Sequence, residues 1–377
     1  MPSPNTASTD AAASPIRFVL LGGFLGAGKT TTIARLAQHY QAQGRNVAII
    51  TNDKAADSVD TLRLRAEGLH VGELPGACFC GNVDELIDMV SALGAAARPD
   101  VVLAEPVGSC LDMAGTVIRP LEQSYGRKFE VAPYGVLVKP THAVKILRGE
   151  GAIGVSPQAA YIFRQQLAEA DFVAVNRCDQ LSPAAVDELQ RLLIAAHPNT
   201  PVLAISAKTG QGFDALTELL EQRGQFGRRV VTIDYDAYSS GEAQLGWLNA
   251  TLLVDAAAPL DVDAQLLELL RSVRDDLRVV GAEVAHMKAI ALGGGRHATA
   301  NLISQAGEPE TTTAACCELP RFQLVINARV ACDPATLRRV FETAWSRWAT
   351  AHDARIDVAH MQCFSPGSTN VTPPLGQ

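Results

Sequence analysis

The sequence predicts a doubly wound, mostly parallel α/β sheet followed by a smaller α+β domain, and three observations carry that prediction. First, short apolar runs at 18–21, 47–51, 101–104, 134–138, 172–175 and 202–205 alternate with helical stretches such as 181–196, and a helical stretch at 213–223 follows the last run. Alternation of this kind marks a parallel sheet covered by helices, which holds ligands at the carboxyl ends of its strands. Second, the run at 18–21 leads into Gly23, Gly28, Lys29 and Thr30, spaced as G-x-x-x-x-G-K-[ST], and a helical pattern with Ile33, Leu36 and Ala37 on one face follows at once. Strand, loop, helix is the order that a phosphate-binding loop of the P-loop NTPase kind requires. Third, the alternation changes after residue 242: strand patterns at 245–254, 283–292, 299–304, 321–330 and 356–364 enclose helical patterns at 263–277 and 334–348.

These patterns divide the chain into a disordered tail over 1–15, the nucleotide-type domain over 16–227, a linker over 228–242, the α+β domain over 243–366 and a disordered tail over 367–377. The second domain reads as two β-α-β halves, and both carry the same short string, Val284-Ala285-His286-Met287 and Val358-Ala359-His360-Met361. That points to a ferredoxin-like layer. The polar stretch 307–316 reads as a loop, including the adjacent thiols Cys316 and Cys317. His286 and His360 read as core or edge residues, and Trp247, Trp345 and Trp348 as packing.

Composition sets outer bounds. With 47% apolar and 19% charged residues in 377, the chain has the make-up of a globular protein. A net charge of −8 argues against a general nucleic-acid binder. No apolar run reaches the length of a membrane span, and the first 15 residues have neither a basic flank nor an apolar centre. Eight scattered cysteines suit reduced thiols in a cytoplasm better than a disulfide framework.

The loop after the first run explains itself chemically. Glycines let backbone N–H groups point into one concavity, so the amides of Gly26, Ala27, Gly28 and Lys29 are candidates to bind phosphate oxygens, with Gly23 and Thr31 flanking them. The helix behind the loop adds the positive end of its dipole. Lys29 is expected to reach the β- and γ-phosphates, and the Thr30 hydroxyl to ligate Mg²⁺. Two further loops address the base. Asn176-Arg177-Cys178-Asp179 is similar to the N-K-x-D signature of GTP-binding domains, with Arg in place of Lys. A carboxylate there accepts two hydrogen bonds from guanine that adenine does not offer, which favours GTP over ATP. Ser206-Ala207-Lys208 resembles the S-A-K loop that lies against the guanine edge in GTPases.

Acidic residues close the strands. Glu105-Pro106-Val107-Gly108 ends the run at 101–104, where Glu105 is a candidate for the Mg²⁺ shell or for orienting water, and Gly108 for close backbone approach to the γ-phosphate. Asp53 and Asp60, after the second run, are further Mg²⁺ candidates, of which Asp53 has the weaker claim. Cys78 and Cys80 lie one residue apart in Gly76-Ala77-Cys78-Phe79-Cys80-Gly81. Two such thiols can chelate one soft ion, yet Zn²⁺ wants four ligands, and spacing alone equally suits a pair of partly buried small residues. Glu73, Cys110 or a second molecule are the candidates to complete the set.

Taken together, these motifs resemble the CobW-type GTPases, a class that also holds the nickel chaperones of urease and hydrogenase. Gly22 to Thr31 match G-G-F-L-G-[AS]-G-K-T-T; Asn52, Asp53 and Asp60 match the N-E-F-G…D element in part; Glu73, Leu74, Cys78 and Cys80 match E-L-x-x-G-C-x-C-C in part; Glu105 and Gly108 match E-x-x-G; Asn176 and Asp179 match N-K-x-D. Gly81 replaces the third cysteine and Lys54 an aromatic residue. The resemblance implies a GTPase that couples hydrolysis to delivery of Zn²⁺ or Co²⁺ to a metal-dependent client; no arginine finger is evident, so intrinsic turnover is expected to be slow, with a partner or a second copy of the chain completing the site. It implies two alternatives as well: a chaperone for a corrinoid enzyme without a free-metal site, and a regulatory GTP-binding module with little turnover.

Overall fold

The structure is a computed structural model that describes residues 14–53, 58–76, 79, 83–95, 97–149, 157–234, 238 and 245–366. Two sheets organise it. The first contains β1 (Ile16–Gly23), β2 (Val47–Asp53), β3 (Val71–Pro75), β4 (Val101–Glu105), β5 (Phe129–Val131), β6 (Gly135–Val138), β7 (Phe172–Val175) and β8 (Val202–Ala204). Their order is β3-β2-β4-β1-β6-β7-β8, with β5 beside the start of β1, and every pairing is parallel. The expected doubly wound parallel sheet is therefore present. β3 and β5 are additions to the expected strands. Both are short, and β3 pairs only with β2, so neither carries the long apolar run of a central strand.

Helices α1 (Lys29–Ala42), α2 (Val59–Ala66), α3 (Val83–Leu93), α4 (Arg119–Tyr125), α5 (Pro140–Arg148), α6 (Pro157–Glu169), α7 (Pro183–Ala196) and α8 (Phe213–Leu220) connect the strands. Two apolar clusters cover the sheet's faces. One joins Phe18, Leu20, Ile50, Leu86 and Met113, and the other joins Val19, Leu21, Ile33, Leu36 and Phe213. Successive residues of β1 thus point to opposite clusters, as the period of two requires. β1 lies between β4 and β6, where the winding direction reverses, so the loops after β1, β4 and β6 open into one crevice.

The second sheet contains β9 (Gly246–Asp261), β10 (Glu283–Gly293), β11 (Arg296–Leu302), β12 (Glu310–Thr313), β13 (Glu318–Ala331) and β14 (Ala354–Phe364), in the order β12-β11-β10-β13-β9-β14, all antiparallel. Helices α9 (Val262–Val279) and α10 (Pro334–Ala351) follow β9 and β13. Without the β11–β12 insertion, the order β10-β13-β9-β14 is that of a ferredoxin-like β-α-β-β-α-β unit. β10 and β14 hold equivalent places in the two halves. Each breaks register at the matching residue of the shared string, between Val284 and His286 and between Val358 and His360. One expectation is corrected: the stretch 307–316 contains β12, an exposed Thr-rich strand on the sheet edge. An edge strand needs no apolar face, so hydropathy does not mark it.

The helices cover one face of this sheet, where Leu252, Val254, Leu270, Met287, Leu324, Ile326, Phe341 and Trp345 form its core. The other face lies on the first domain. There Ile290 and Val325 bury Val59 at the start of α2, with Leu62 and Leu292 beside them.

Candidate functional site

The phosphate-type loop takes the shape its glycines allow. Gly23, Gly26 and Gly28 adopt φ of 133°, 74° and 89°, values that side-chain-bearing residues rarely reach. Gly28 caps α1, and a Cβ there would lie 2.3 Å from the Asn176 amide nitrogen. Lys29 is buried and donates to the Gly23 carbonyl at 2.9 Å, folded back over its own loop. Burial pulls its ammonium below the usual lysine range, against the pull of Glu105.

Thr30 stands at the centre of the acidic end. Its hydroxyl lies 2.8 Å from Asp60 Oδ1 and 3.0 Å from Glu105 Oε1. One hydroxyl proton serves only one acceptor, so the two carboxyls cannot both be ionised acceptors of it. Burial, and the Asp60 charge next to it, push Glu105 up to about 7. Asp60 feels the same burial, but Lys288 and Thr30 outweigh it and hold the carboxylate below its usual range. Glu105 Oε2 is buried and has no hydrogen-bond partner among the described residues. Hard oxygens on Thr30, Asp60 and Glu105, one of them orphaned, fit the oxygen preference of Mg²⁺. Gly108 follows Glu105 under Leu25, where a Cβ would lie 2.8 Å from the leucine side chain. Gln166 on α6 fixes this loop by donating to the Gly108 and Cys110 carbonyls at 3.0 and 3.1 Å.

At the opposite end, Asn176 ties three loops together. Its amide donates to Ala27 O at 2.8 Å, and its oxygen accepts from the backbone N–H groups of Arg177 and Ala207 at 2.8 and 3.0 Å. Arg177 takes φ 64°, an αL turn that sends Asp179 into the same cavity. Ser206 is fully buried and its hydroxyl accepts from Thr209 N at 3.1 Å. Arg35 on α1 donates to the Ala207 and Lys208 carbonyls, both at 2.8 Å, so the first helix also props the third loop.

The cavity measures ≈ 360 Å³ and brings together Gly26, Gly28, Lys29, Thr30, Thr31, Asp53, Asp60, Glu105, Gly108, Asn176, Arg177, Asp179, Ser206, Ala207 and Lys208. Gly23 and Ala27 lie in the same loop as these glycines. Two of the candidate soft-metal residues, Glu73 and Cys110, do not line this cavity. Cys78 and Cys80 lie outside the described residues. Glu73 instead accepts from Ser58 N at 3.0 Å and Thr61 Oγ1 at 2.8 Å, bracing the start of α2. Cys110 is packed in the core of the first domain. No group of three or more His, Cys, Asp or Glu suited to a metal ion occurs among the described residues.

The second domain supplies residues that sequence reasoning missed. His286, Lys288, Thr299, Asn301, Ile303, Glu310, Asn327, Arg329 and Trp247 share the lining. Arg329 is 3.0 Å from Asp53 and lies 3.8 Å over the Trp247 ring, so Trp247 is more than packing. Asn327 Oδ1 accepts from Val59 N at 2.7 Å. The Ile303 carbonyl accepts from Lys139 at 2.9 Å, and Glu310 lies 4.0 Å from Arg177. His286 faces the cavity too. Burial, reinforced by Lys288, Lys139, Lys29 and Arg177, holds it neutral. His360, its counterpart in the other half, is exposed. For His286 and Lys288 on β10, and Asn327 and Arg329 on β13, the sequence signal was a pair of polar side chains two residues apart, opposite the apolar positions of the helix-covered face.

The family model for the CobW/HypB/UreG nucleotide-binding domain matches residues 17–204. The urease accessory protein UreG of Mycolicibacterium gilvum is 30% identical over 214 residues, covering 53% of this chain and 91% of that one. The zinc chaperone YeiR of Escherichia coli is 28% identical over 179 residues, 46% of this chain, and the match spans 49% of YeiR's own length. The zinc chaperone CobW of Pseudomonas aeruginosa is 27% identical over 225 residues, 51% of this chain and 56% of that one. Among solved structures, the Zn(II)-bound YjiA GTPase from E. coli overlaps 88% of this chain and 99% of its own, at 16% identity and a TM-score of 0.36. No helix among the described residues is long and apolar enough to cross a membrane. With a urease accessory protein matched over nearly its whole length and the family's nucleotide-binding domain recognised over 17–204, this chain belongs to the CobW/HypB/UreG family of metallochaperone GTPases.

Proposed function

We propose that the chain binds and hydrolyses GTP with Mg²⁺, and couples that cycle to delivery of a transition metal, Zn²⁺ or Co²⁺, to a client protein. The observation that carries the nucleotide half is the cavity itself. It has Lys29, Thr30, Asp60 and Glu105 at one end and Asn176, Asp179 and Ser206 at the other. In this reading the amides of Gly26 to Lys29 hold the phosphates, and Lys29 leaves the Gly23 carbonyl for the β- and γ-oxygens. Thr30 and Asp60 hold Mg²⁺, which when bound neutralises charge on the β- and γ-phosphates. Glu105, poised near neutrality, orients the attacking water, and Gly108 approaches the γ-phosphate. Asp179 selects guanine, so Asp179→Ala should reduce the preference for GTP over ATP by roughly a hundredfold in competition binding. An unchanged preference would remove the assignment of the base.

The metal half is supported by the zinc chaperones CobW and YeiR among the relatives and by Cys78 and Cys80. The test is a Zn²⁺ and Co²⁺ titration of the reduced protein, with and without Mg²⁺·GTP, beside a Cys78→Ser/Cys80→Ser variant. Tight binding that needs the thiols and shifts with GTP is the expected result, because coupling between two sites is reciprocal. Intact GTP turnover without tight metal binding would refute metal delivery.

A further inference from the structure

The acidic end of the cavity already holds a cation of the protein's own. Lys288 stands on β10, between β11 and β13, opposite Asn301 and Asn327. Its Nζ reaches both oxygens of Asp60, at 2.5 Å to Oδ1. Asp60 in turn lies against the Thr30 hydroxyl, and that hydroxyl against Glu105. The ammonium is thus seated on the oxygen cluster that fits Mg²⁺. It is carried by a strand inside a sheet, not by a loose loop, and its side chain keeps only 18% exposure. Other cations face the same space. Lys29 turns back to Gly23, and Arg329 pairs with Asp53. His286, on the same face of β10 two residues away, is held neutral.

We propose that Lys288 is a positioning residue for the metal end of the nucleotide site: it holds Asp60 as a resident cation and competes with Mg²⁺ for that carboxylate. This deepens, and rests on, the reading of the cavity as a Mg²⁺·GTP site. Two positive charges cannot share one carboxylate at contact distance without strong repulsion, so metal arriving with nucleotide displaces Lys288. The displacement matters because the second sheet grips the segment around Asp60 by three polar contacts: Arg329 to Asp53, Asn327 to Val59 N, and Lys288 to Asp60. Nucleotide-bound metal removes the third. Docking of the second sheet and metal binding are then linked through one carboxylate, and each weakens the other by the same factor.

The test is a Mg²⁺ titration of the full chain saturated with a fluorescent, non-hydrolysable GTP analogue. Lys288→Met should lower the half-saturating Mg²⁺ concentration by roughly fivefold or more, the span expected of a coupled pair of sites. Lys288→Gln, which keeps a hydrogen bond to Asp60 without the charge, should do the same, while Lys288→Arg should stay near the parent. In an Asp60→Asn background, Lys288→Met should shift it by less than about twofold, because the competition has lost its object. An unchanged or raised half-saturating Mg²⁺ in both Lys288→Met and Lys288→Gln, with the analogue still bound in EDTA, would overturn the proposal. Failure of the parent to bind guanine nucleotide at any Mg²⁺ concentration would overturn the underlying site assignment, and it is visible before any variant is made.

Discussion

The two sheets meet one cavity in different ways. The parallel sheet offers the ends of its strands: Lys29 opens the helix after β1, Glu105 ends β4 and Asn176 follows β7, each next to a helix or turn that fixes its direction. The antiparallel sheet offers a face: Trp247, His286, Lys288, Asn327 and Arg329 come from one face of three strands. A strand end can be read from a local string, because turn, cap and ligand all lie within a few residues. A strand face cannot, because its partners are more than two hundred residues away: Arg329 meets Asp53 across 276 positions and Lys288 meets Asp60 across 228.

The largest expected effect lies under the parallel sheet. Glu169 at the end of α6 is fully buried, and its carboxyl Oε2 accepts from Met113 N at 2.8 Å. Burial first, then the nearby Asp112, push it from 4.5 to about 8. Between those values the unfolded chain has lost this proton while the folded chain keeps it, so the group makes stability fall as pH rises. The effect is complete above the folded value and amounts to about 5 kcal/mol. Glu169→Gln should flatten that part of the stability–pH curve, measured by denaturant unfolding at several pH values between 5 and 9. A curve as steep as the parent's would remove the buried neutral carboxyl.

Next in size is Lys29→Ala, which should weaken GTP binding by about a hundredfold, near 3 kcal/mol for a buried charged donor. Binding within a few-fold of the parent would mean that the motif-bearing loop is not the phosphate site. Arg329→Met tests the other sheet. Arg329 has 7% side-chain exposure and Asp53 has 20%, so losing this pair should cost about 2 kcal/mol, less than breaking a fully buried one. Tryptophan fluorescence should also report the change, through the lost stacking on Trp247. The smallest effect is the contrast to this. Arg338 and Glu342 form an exposed pair on α10, and Arg338→Ala should change stability by less than about 0.5 kcal/mol. Equal effects for the two arginines would erase the distinction between an interface pair and a surface pair.

Much of the fold was legible. Alternating apolar runs marked β1, β2, β4, β6, β7 and β8, and the changed rhythm after 242 marked the two β-α-β halves. What hydropathy did not mark were elements with little to bury: the short strands β3 and β5 and the exposed strand β12. The candidate site was legible on one side only. Lys29, Thr30, Glu105, Asn176, Asp179 and Ser206 stood out by motif. Gln166 and Glu169, which brace the loop after Glu105, did not, because a polar residue on a helix carries no sign of the loop it will face.

By itself the sequence determined the local geometry of the cavity's first wall: glycines at positive φ, a lysine and a threonine opening a helix, an asparagine at a strand end. These depend on neighbours within a turn or two, where backbone sterics and hydrogen bonding are set by residue type. Only the tertiary structure decided the second wall. Period-two alternation gives a strand two faces but does not say which one meets helices and which meets another domain. Docking settled that by burying Val59 against Ile290 and Val325, and so set Lys288 on Asp60 and Arg329 on Asp53.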